Sequence, residues 1–197
     1  MTSIDVDGVR DAVRKKYVHV ARTPEGRFQY PVGRAGALAV GYDPALLAAV
    51  PEAVLSFFCG VGNPFALGAI TAGDAVLDVG CGAGIDLVIA QHLAGPRGRA
   101  SGVDLIPEMA DRARLNVGLA GAAADVVVGA AEALPYDDGT FDVVISNGSF
   151  NLSPLKAQSF GEVWRVLRPG GRLQCADIVL QEALPPEVAN SLEAWSE

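Results

Sequence analysis

Glycines at three alternate positions indicate a loop that receives a ligand. Gly80, Gly82 and Gly84 follow a short apolar run, residues 75–79, which has the composition of a buried strand and contains Asp78. Glycine allows the chain to turn sharply and lets a ligand approach the backbone without a Cβ in the way. A helix starting just beyond Gly84 would direct its free N–H groups and positive end at the same place. These residues therefore predict a small-molecule binding loop.

Further polar groups follow the ends of later predicted strands. Asp104 ends the second strand, 20 residues after Gly84, where a carboxylate accepts hydrogen bonds from both hydroxyls of a ribose. Residues 129–135 follow the third strand, where an adenine edge would lie, and residues 141–147 end the fourth, beside the point where open α/β sheets bind ligands. The predicted cofactor contacts are Asp78, Gly80, Cys81, Gly82, Gly84, Asp104, Leu105, Met109, Ala131, Glu132 and Asn147.

The glycine spacing separates two kinds of cofactor. The dinucleotide fingerprint is Gly-x-Gly-x-x-Gly, whereas this chain has Gly-x-Gly-x-Gly with Asp78 two residues ahead. The tighter spacing and the leading acid favour S-adenosylmethionine, which has no pyrophosphate, and a nicotinamide-dependent oxidoreductase is the weaker alternative. Taken alone, Asp104 could simply cap the next helix and Glu132 could be a solvated loop acid. Cys81 is interpreted as a small packing residue and not as a nucleophile.

The elements that position these residues alternate between strand and helix. Predicted strands cover 75–79, 99–104, 125–128, 141–146 and 172–180, and predicted helices cover 6–21, 43–50, 52–58, 85–93, 107–119 and 153–167. This alternation is typical of an α/β, Rossmann-like fold, a mostly parallel sheet with helices on both faces. We expect one structural unit, in which residues 1–70 form an N-terminal helical cap and lead-in segment and residues 71–197 form the core.

The composition of the chain limits which partners it can bind and in which cellular compartment it is expected. The net charge of −8 argues against nucleic acid, because nucleic-acid binders present basic faces. The N-terminus lacks the apolar run of a signal peptide, and no segment is apolar for long enough to span a membrane. The three cysteines, Cys59, Cys81 and Cys175, are widely spaced and form neither a zinc pattern nor a disulfide framework. A cytoplasmic protein without a metal site is therefore expected.

Four segments of the chain together resemble class I S-adenosylmethionine-dependent methyltransferases. The segments are Val76-Leu77-Asp78-Val79-Gly80-Cys81-Gly82-Ala83-Gly84, Gly102-Val103-Asp104, Ala131-Glu132-Ala133-Leu134-Pro135 and Arg165-Val166-Leu167-Arg168-Pro169-Gly170-Gly171-Arg172-Leu173. They cover roughly the C-terminal two thirds of the chain. The resemblance implies S-adenosylmethionine as the cofactor and, in that class, seven strands, of which the last two form an antiparallel pair beside the fifth.

The N-terminal third is similar to the arsenite methyltransferase family. The similar segments are Val9-Arg10 through Tyr17, Gly41-Tyr42, Val50-Pro51-Glu52 and Gly62-Asn63-Pro64, with Ser146-Asn147 and Asn151-Leu152-Ser153 further on. The resemblance implies that the N-terminal helix closes over the cofactor and that Tyr17 lies near it. Family members that methylate arsenic hold As(III) with thiolates, because a soft ion prefers sulfur ligands. Two of those thiolate positions are Val61 and Gly148 in this chain.

The missing thiols leave the methyl acceptor open. A soft nucleophile such as a thiolate needs no general base at neutral pH, whereas a hydroxyl or carbon acceptor usually does. No histidine follows the fourth strand, and no catalytic residue is identified. The sequence therefore predicts a methyltransferase for a small-molecule, soft (thiol or metalloid) or already ionised acceptor. The alternative is a non-catalytic S-adenosylmethionine-binding module or a truncated, inactive methyltransferase.

The C-terminal end of the chain predicts a shortened sheet. Pro185-Pro186 excludes a strand after Leu180, and the pattern of residues 188–197 predicts a short helix. Five strands are therefore expected, without the last two of the seven that are typical of the class. In the arsenite-like family, the sequence after a tryptophan such as Trp195 continues into cysteine or selenocysteine and then Gly-Ala, so we expect a truncated form of a longer protein. An unpaired apolar edge on the fifth strand would favour a homodimer through that edge.

Overall fold

A five-stranded, fully parallel sheet forms the centre of the molecule, as the sequence predicted. The computed structural model describes residues 5–182 together with Ser191 and Trp195. The strands are β1 (Ala75–Val79), β2 (Arg99–Asp104), β3 (Ala124–Val128), β4 (Phe141–Asn147) and β5 (Leu167–Ala176), in the spatial order β3-β2-β1-β4-β5. The helix predicted over 188–197 lies outside the described residues apart from Ser191 and Trp195.

The central strand β1 explains where the ligand loop lies. It pairs with β2 on one side and β4 on the other, with Val76 opposite Ala100 and Val143. All five of its residues are buried, as expected for a short apolar run in a parallel sheet. Because the strand order reverses between β1 and β4, the crevice at the carboxyl ends of these strands is the place where such sheets bind ligands.

Helices cover both faces of this sheet. They are α1 (Val6–Val20), α2 (Gly33–Ala39), α3 (Pro44–Leu47), α4 (Glu52–Leu55), α5 (Ile85–Ala94), α6 (Pro107–Leu119) and α7 (Lys156–Val166). Successive β1 residues point to opposite faces: Val76 belongs to one core cluster, with Val20, Leu47 and Ile89, whereas Leu77 belongs to a second. The N-terminal segment therefore packs into the same core as α5 and α6, beside the ligand loop.

The position of β5 differs from the sequence-based expectation of 172–180. The strand begins at Leu167, directly after α7, where Leu167 pairs with Phe141. A bulge follows, in which Gly170 has φ +83° and Arg168 pairs with Asp142 at 2.8 Å. The apolar run 178–180, which suggested a strand, is exposed. No strand among the described residues pairs with the outer side of β5, and a dimer through this edge stays a prediction.

The N-terminal third also differs in detail from the predicted elements. Helix α2 was not predicted, because its glycine- and alanine-rich sequence has no amphipathic pattern; a Cβ on Gly36 would lie 2.2 Å from the carbonyl oxygen of Pro31. The helices expected over 43–50 and 52–58 are the shorter α3 and α4, and a 3-10 turn, Pro64–Leu67, follows them. Within the described residues, no helix combines the length and the apolar character needed to cross a membrane.

Candidate cofactor and acceptor site

A pocket of about 860 Å³, counting its open mouth, lies at the carboxyl ends of β1, β2 and β4. One side, here called the glycine floor, consists of Asp78, residues 80–83, Ile85, Asp86 and Asp104. Another part of the lining, here called the apolar wall, consists of Tyr30, residues 57–61 and Leu152. The two sides differ in chemistry: the floor contains carboxylates and backbone amides, whereas the wall contains aromatic and aliphatic side chains.

The glycines of the floor have the conformations that their residue type permits. Gly80, Gly82 and Gly84 have φ values of +70°, +54° and +84°, a region that other residues rarely adopt. A Cβ on Gly80 would lie 2.3 Å from Cβ of Ser149, so no larger residue fits there. Gly84 does not line the pocket. It begins α5, where a Cβ would lie 3.2 Å from Ala113 of α6, so its role is helix packing.

Asp104 connects the floor to β2. Its Oδ2 accepts a hydrogen bond from the Gly82 amide at 2.8 Å, and its Oδ1 accepts one from the Ile106 amide at 2.9 Å. Burial raises the pKa of Asp104 to about 6, and these two hydrogen bonds partly oppose the shift. Because a carboxylate oxygen has more than one lone pair, each can still accept a hydroxyl, as a ribose diol requires. Leu105 and Met109 line the same end of the pocket.

The carboxylate of Asp78 is buried, and one of its oxygens has no hydrogen-bond partner among the described residues. The residue is 2% exposed, and the oxygen without a partner is Oδ2. Burial raises the pKa of Asp78, and the nearby carboxylates of Asp86 and Asp104 raise it further. A cationic ligand would satisfy this buried oxygen. The orphaned carboxylate lies in the lining of the pocket, so the residues present fit a cationic cofactor such as S-adenosylmethionine.

Two titratable side chains of the apolar wall are held in their neutral forms. The hydroxyl of Tyr30 donates a hydrogen bond to the Cys59 carbonyl at 3.0 Å. Burial raises the pKa of Tyr30 above its usual range, and it raises that of the Cys59 thiol to about 12. Tyr17, from α1, also lines the pocket, and burial raises its pKa as well. Cys81 is buried in the floor, where its thiol pKa is raised in the same way, consistent with a packing role.

Ala131 and Glu132 lie in a smaller adjoining pocket. This pocket shares Val13, Gly80, Leu105, Ser149 and Leu152 with the first. Glu132 is 6% exposed; its Oε1 accepts from the Ser153 hydroxyl at 2.6 Å, and its Oε2 lies 3.5 Å from a guanidinium nitrogen of Arg10 on α1. The residue is thus not a solvated loop acid, and α1 is tied to the loop after β3.

Asn147 lines the pocket, but its amide serves the protein itself. Its Oδ1 accepts hydrogen bonds from the backbone amides of Val61 and Gly62, and its Nδ2 donates to the Gly62 carbonyl and to Asp86. The sequence did not identify the wall residues Tyr30, Phe57 and Leu152. The turn residues Gly60, Gly62 and Asn63 were the available signal, but they do not reveal which distant strand the turn contacts.

The two positions expected to carry thiolates meet in the structure. A Cβ on Gly148 would lie 3.3 Å from a methyl group of Val61. A valine side chain therefore lies beside a glycine at the two positions where the arsenic-methylating relatives are expected to have sulfur. Among the described residues, no group of three or more His, Cys, Asp or Glu side chains is placed to hold a metal ion.

The fold and the pocket define a Rossmann-like enzyme domain of the S-adenosylmethionine-dependent type, as the sequence predicted. Residues 70–197 match the family described as Methyltransferase domain, and the chain belongs to that family. The match covers β1 to β5 and the whole glycine floor. It confirms the predicted class of protein and, with the solved structures below, S-adenosylmethionine as its cofactor.

Individual relatives refine this assignment. An arsenite methyltransferase of Halobacterium salinarum is 35% identical over 199 residues, covering 93% of this chain and 51% of the relative. A demethylmenaquinone methyltransferase of Deinococcus radiodurans is 39% identical over 111 residues, covering 56% of this chain and 44% of the relative. The chain thus spans about half the length of the curated relatives it matches.

Solved structures agree with the sequence comparison. An arsenic(III) S-adenosylmethionine methyltransferase from Chlamydomonas reinhardtii superposes with a TM-score of 0.68 at 36% identity, covering 75% of this chain and 53% of that structure. A SAM-dependent methyltransferase from Aquifex aeolicus gives a TM-score of 0.55 at 27% identity, covering 74% of each chain. The fold is therefore shared with arsenic-methylating and other methyltransferases.

Proposed function

We propose that this chain contains the S-adenosylmethionine-dependent core of a methyltransferase whose acceptor is a small molecule with a soft nucleophile. The observation that carries the proposal is the division of the pocket into a polar glycine floor and an apolar wall. The floor suits a cationic, ribose-containing cofactor, and the wall suits the apolar body of a small organic molecule. The relatives named as arsenite methyltransferases support the soft character of the acceptor, but not its identity.

The floor residues would hold the cofactor by complementary chemistry. Asp104 would accept the ribose hydroxyls, Asp78 would face positive charge, and the backbone of residues 80–82 would allow close approach. When bound, S-adenosylmethionine supplies a methyl group on a positively charged sulfur, ready for in-line transfer to a nucleophile. The remaining task of the protein is to align the acceptor and to exclude water, which contributes by proximity and orientation.

The apolar wall argues against an acceptor that must lose a proton on the enzyme. Its titratable groups are Tyr30 and Cys59, whose pKa values are raised by burial, so neither accepts a proton at neutral pH. The carboxylate of Asp86 is engaged by Tyr42 and Asn147. A thiol that ionises in solution needs no such base. An organic thiol therefore fits this wall better than an alcohol does.

An acceptor screen tests the proposal. Purified protein is given S-adenosylmethionine with arsenite plus thiol, with free organic thiols, or with quinols, and adenosylhomocysteine release is measured. We expect release with an organic thiol, and none from Gly80→Val, in which the cofactor site is blocked. Cofactor binding without release in any arm would favour the non-catalytic module. Absence of cofactor binding by calorimetry would overturn the proposal as a whole.

A further inference from the structure

The side-chain amide of Asn147 joins three separate parts of the pocket. Oδ1 accepts hydrogen bonds from the amides of Val61 at 2.9 Å and Gly62 at 3.1 Å, and Nδ2 lies 2.8 Å from the Gly62 carbonyl. Nδ2 also lies 3.1 Å from Asp86 Oδ2 on α5. One side chain at the end of β4 thus contacts Val61 and Gly62 of the turn 60–62, here called the wall loop, and Asp86, the floor residue at the start of α5.

No polar capacity of this amide remains for a ligand. An asparagine amide has two N–H donors and an oxygen with two lone pairs. Both lone pairs of Oδ1 have N–H partners, and Nδ2 has acceptors in the Gly62 carbonyl, Asp86 and the Tyr42 hydroxyl, the last at 3.1 Å. The sequence-based expectation that Asn147 binds the cofactor therefore does not account for its contacts.

The backbone around the amide is fitted closely to it. A Cβ on Gly60 would lie 2.3 Å from Asn147 Nδ2, and a Cβ on Gly62 would lie 2.5 Å from Cβ of Ala176 on β5. The wall loop can approach the end of β4 only because both positions are glycine. The absence of side chains at Gly60 and Gly62 therefore allows the Asn147 amide to hydrogen-bond the backbone of Val61 and Gly62.

The other end of the contact is also fixed. The hydroxyl of Tyr42 donates to Asp86 Oδ1 at 2.7 Å, so both oxygens of this carboxylate are engaged. Tyr42 is 2% exposed and Asp86 is 7% exposed. A buried, fully paired network of this kind holds its members in one geometry, because breaking any hydrogen bond leaves a buried polar group unsatisfied.

We propose that Asn147 is a positioning residue, which fixes the apolar wall at a set distance from the glycine floor and so places the acceptor against the methyl donor. The inference rests on the proposed function for its meaning in catalysis. The contact itself is independent of the acceptor. Because the amide of Asn147 contacts the wall loop, we expect a change at Asn147 to alter the order of that loop. The affinity for the cofactor should change little.

Asn147→Ala tests this expectation. We expect the backbone amides of Val61 and Gly62 to exchange with solvent at least about tenfold faster by NMR, since each loses its hydrogen bond. The dissociation constant for S-adenosylmethionine should change less than about threefold, because the hydrogen bonds of Asp104 to the Gly82 and Ile106 amides do not involve Asn147. With benzenethiol as the acceptor probe, KM should rise or kcat fall by about tenfold or more. Ser56→Ala, an exposed change just before the wall, should leave all three readouts unaltered.

Asn147→Asp adds a pH-dependent readout. The new carboxylate would face Asp86, whose pKa burial already raises to about 6, with Tyr42 and the buried Asp78 as the other titratable neighbours. Two carboxylates at this distance share a proton. At low pH the shared proton replaces the amide N–H, and at high pH the two charges repel. Protection of the Val61 and Gly62 amides, corrected for intrinsic exchange, should therefore be close to wild type at low pH and fall as pH rises.

The outcomes distinguish the two proposals. If wild-type protein binds no S-adenosylmethionine, the proposed function fails, while the exchange data still decide whether Asn147 holds the wall. Unchanged exchange at Val61 and Gly62 in Asn147→Ala would overturn the positioning role. A loss of cofactor affinity as large as the loss of rate would overturn it too, since Asn147 would then serve the cofactor. If Asn147→Ala fails to fold, Asn147→Asp decides by its pH profile, and a flat profile counts against the proposal.

Discussion

The glycine floor and the apolar wall line one pocket, but they are built in different ways. The floor comes from a nearly continuous stretch, residues 78–86, plus Asp104 from the neighbouring strand. The wall combines Tyr30, residues 57–61 and Leu152, which are far apart in the chain. The glycine loop of the floor is held by backbone geometry and by the Asp104 carboxylate, whereas the wall is held by side-chain contacts across long sequence separations.

This difference indicates which part of the site varies with the acceptor. A floor fixed by strand ends and glycines suits a cofactor common to a whole family. A wall fixed by a few distant contacts can change its side chains without altering the sheet. The adjoining positions Val61 and Gly148 illustrate this, since neither carries a thiol here. Substitutions in the floor should therefore alter cofactor binding, and substitutions in the wall should leave it nearly unchanged.

The largest effect is expected from Gly80→Val. The added side chain would collide with Ser149, where even a Cβ would be 2.3 Å from Ser149 Cβ, and would sit at φ +70°, which a β-branched residue does not tolerate. Calorimetry should detect no binding of S-adenosylmethionine. Gly161→Val is the matched control, because a Cβ on Gly161 has open space and no positive φ. Wild-type affinity in Gly80→Val would refute the placement of the cofactor on the floor.

The next largest effect is expected from Asp104→Ala. It removes the acceptor for the ribose hydroxyls and also leaves the Gly82 amide without its partner. Binding of S-adenosylmethionine should weaken by roughly 1–3 kcal/mol, the range for lost charged hydrogen bonds. Asp111→Ala, which removes an exposed carboxylate from α6, should bind as wild type does. If calorimetry gives equal affinities for Asp104→Ala and wild type, the ribose lies elsewhere.

The same difference explains how far the sequence alone predicts this molecule. The parallel sheet, Asp104 and the glycine loop follow from local patterns: apolar runs, turn residues and a carboxylate at a strand end. The wall does not, because its form depends on the Asn147 amide reaching Gly62, 85 residues away in the chain. The predicted bounds of β5 are wrong for a related reason: the apolar run 178–180 favours a strand but is exposed, and a bulge interrupts the pairing of residues 167–172 with β4.

A moderate effect of pH is expected on both binding and stability, with opposite signs. The pKa of Asp104 is about 6 in the folded protein, against about 3.9 for an unfolded aspartate. Between these values the folded state binds more protons, so stability falls as pH rises through this window and is highest at its acidic end. Denaturant unfolding of the ligand-free protein should therefore give roughly 2 kcal/mol more stability from Asp104 at pH 4 than at pH 7.

Cofactor binding should follow the opposite trend, because the ionised carboxylate is the better acceptor. Affinity for S-adenosylmethionine should drop about tenfold from pH 7 to pH 5, the amount for one group of this pKa that must lose its proton. Asp104→Asn, which does not titrate, should make both profiles shallower, and the slope of stability that remains should come from Asp86 and Asp78, whose pKa values burial also raises. Stability and affinity that change in the same direction with pH would show that Asp104 is not the linked group.

The smallest effect, close to none, is expected from Cys59→Ser. Cys59 is the cysteine of the apolar wall, and burial raises its thiol pKa to about 12, so it is neutral and does not act as a thiolate ligand near pH 7. S-adenosylmethionine affinity and methylation of an organic thiol should each stay within about twofold of wild type, as for a near-isosteric change. Because Val61 and Gly148 supply no sulfur, arsenite should release no adenosylhomocysteine from either protein. Arsenite turnover that Cys59→Ser abolishes would show that this thiol holds the metalloid after all. Robust arsenite turnover in both proteins would show that no wall cysteine is needed, and the inference from the missing thiols would then be wrong.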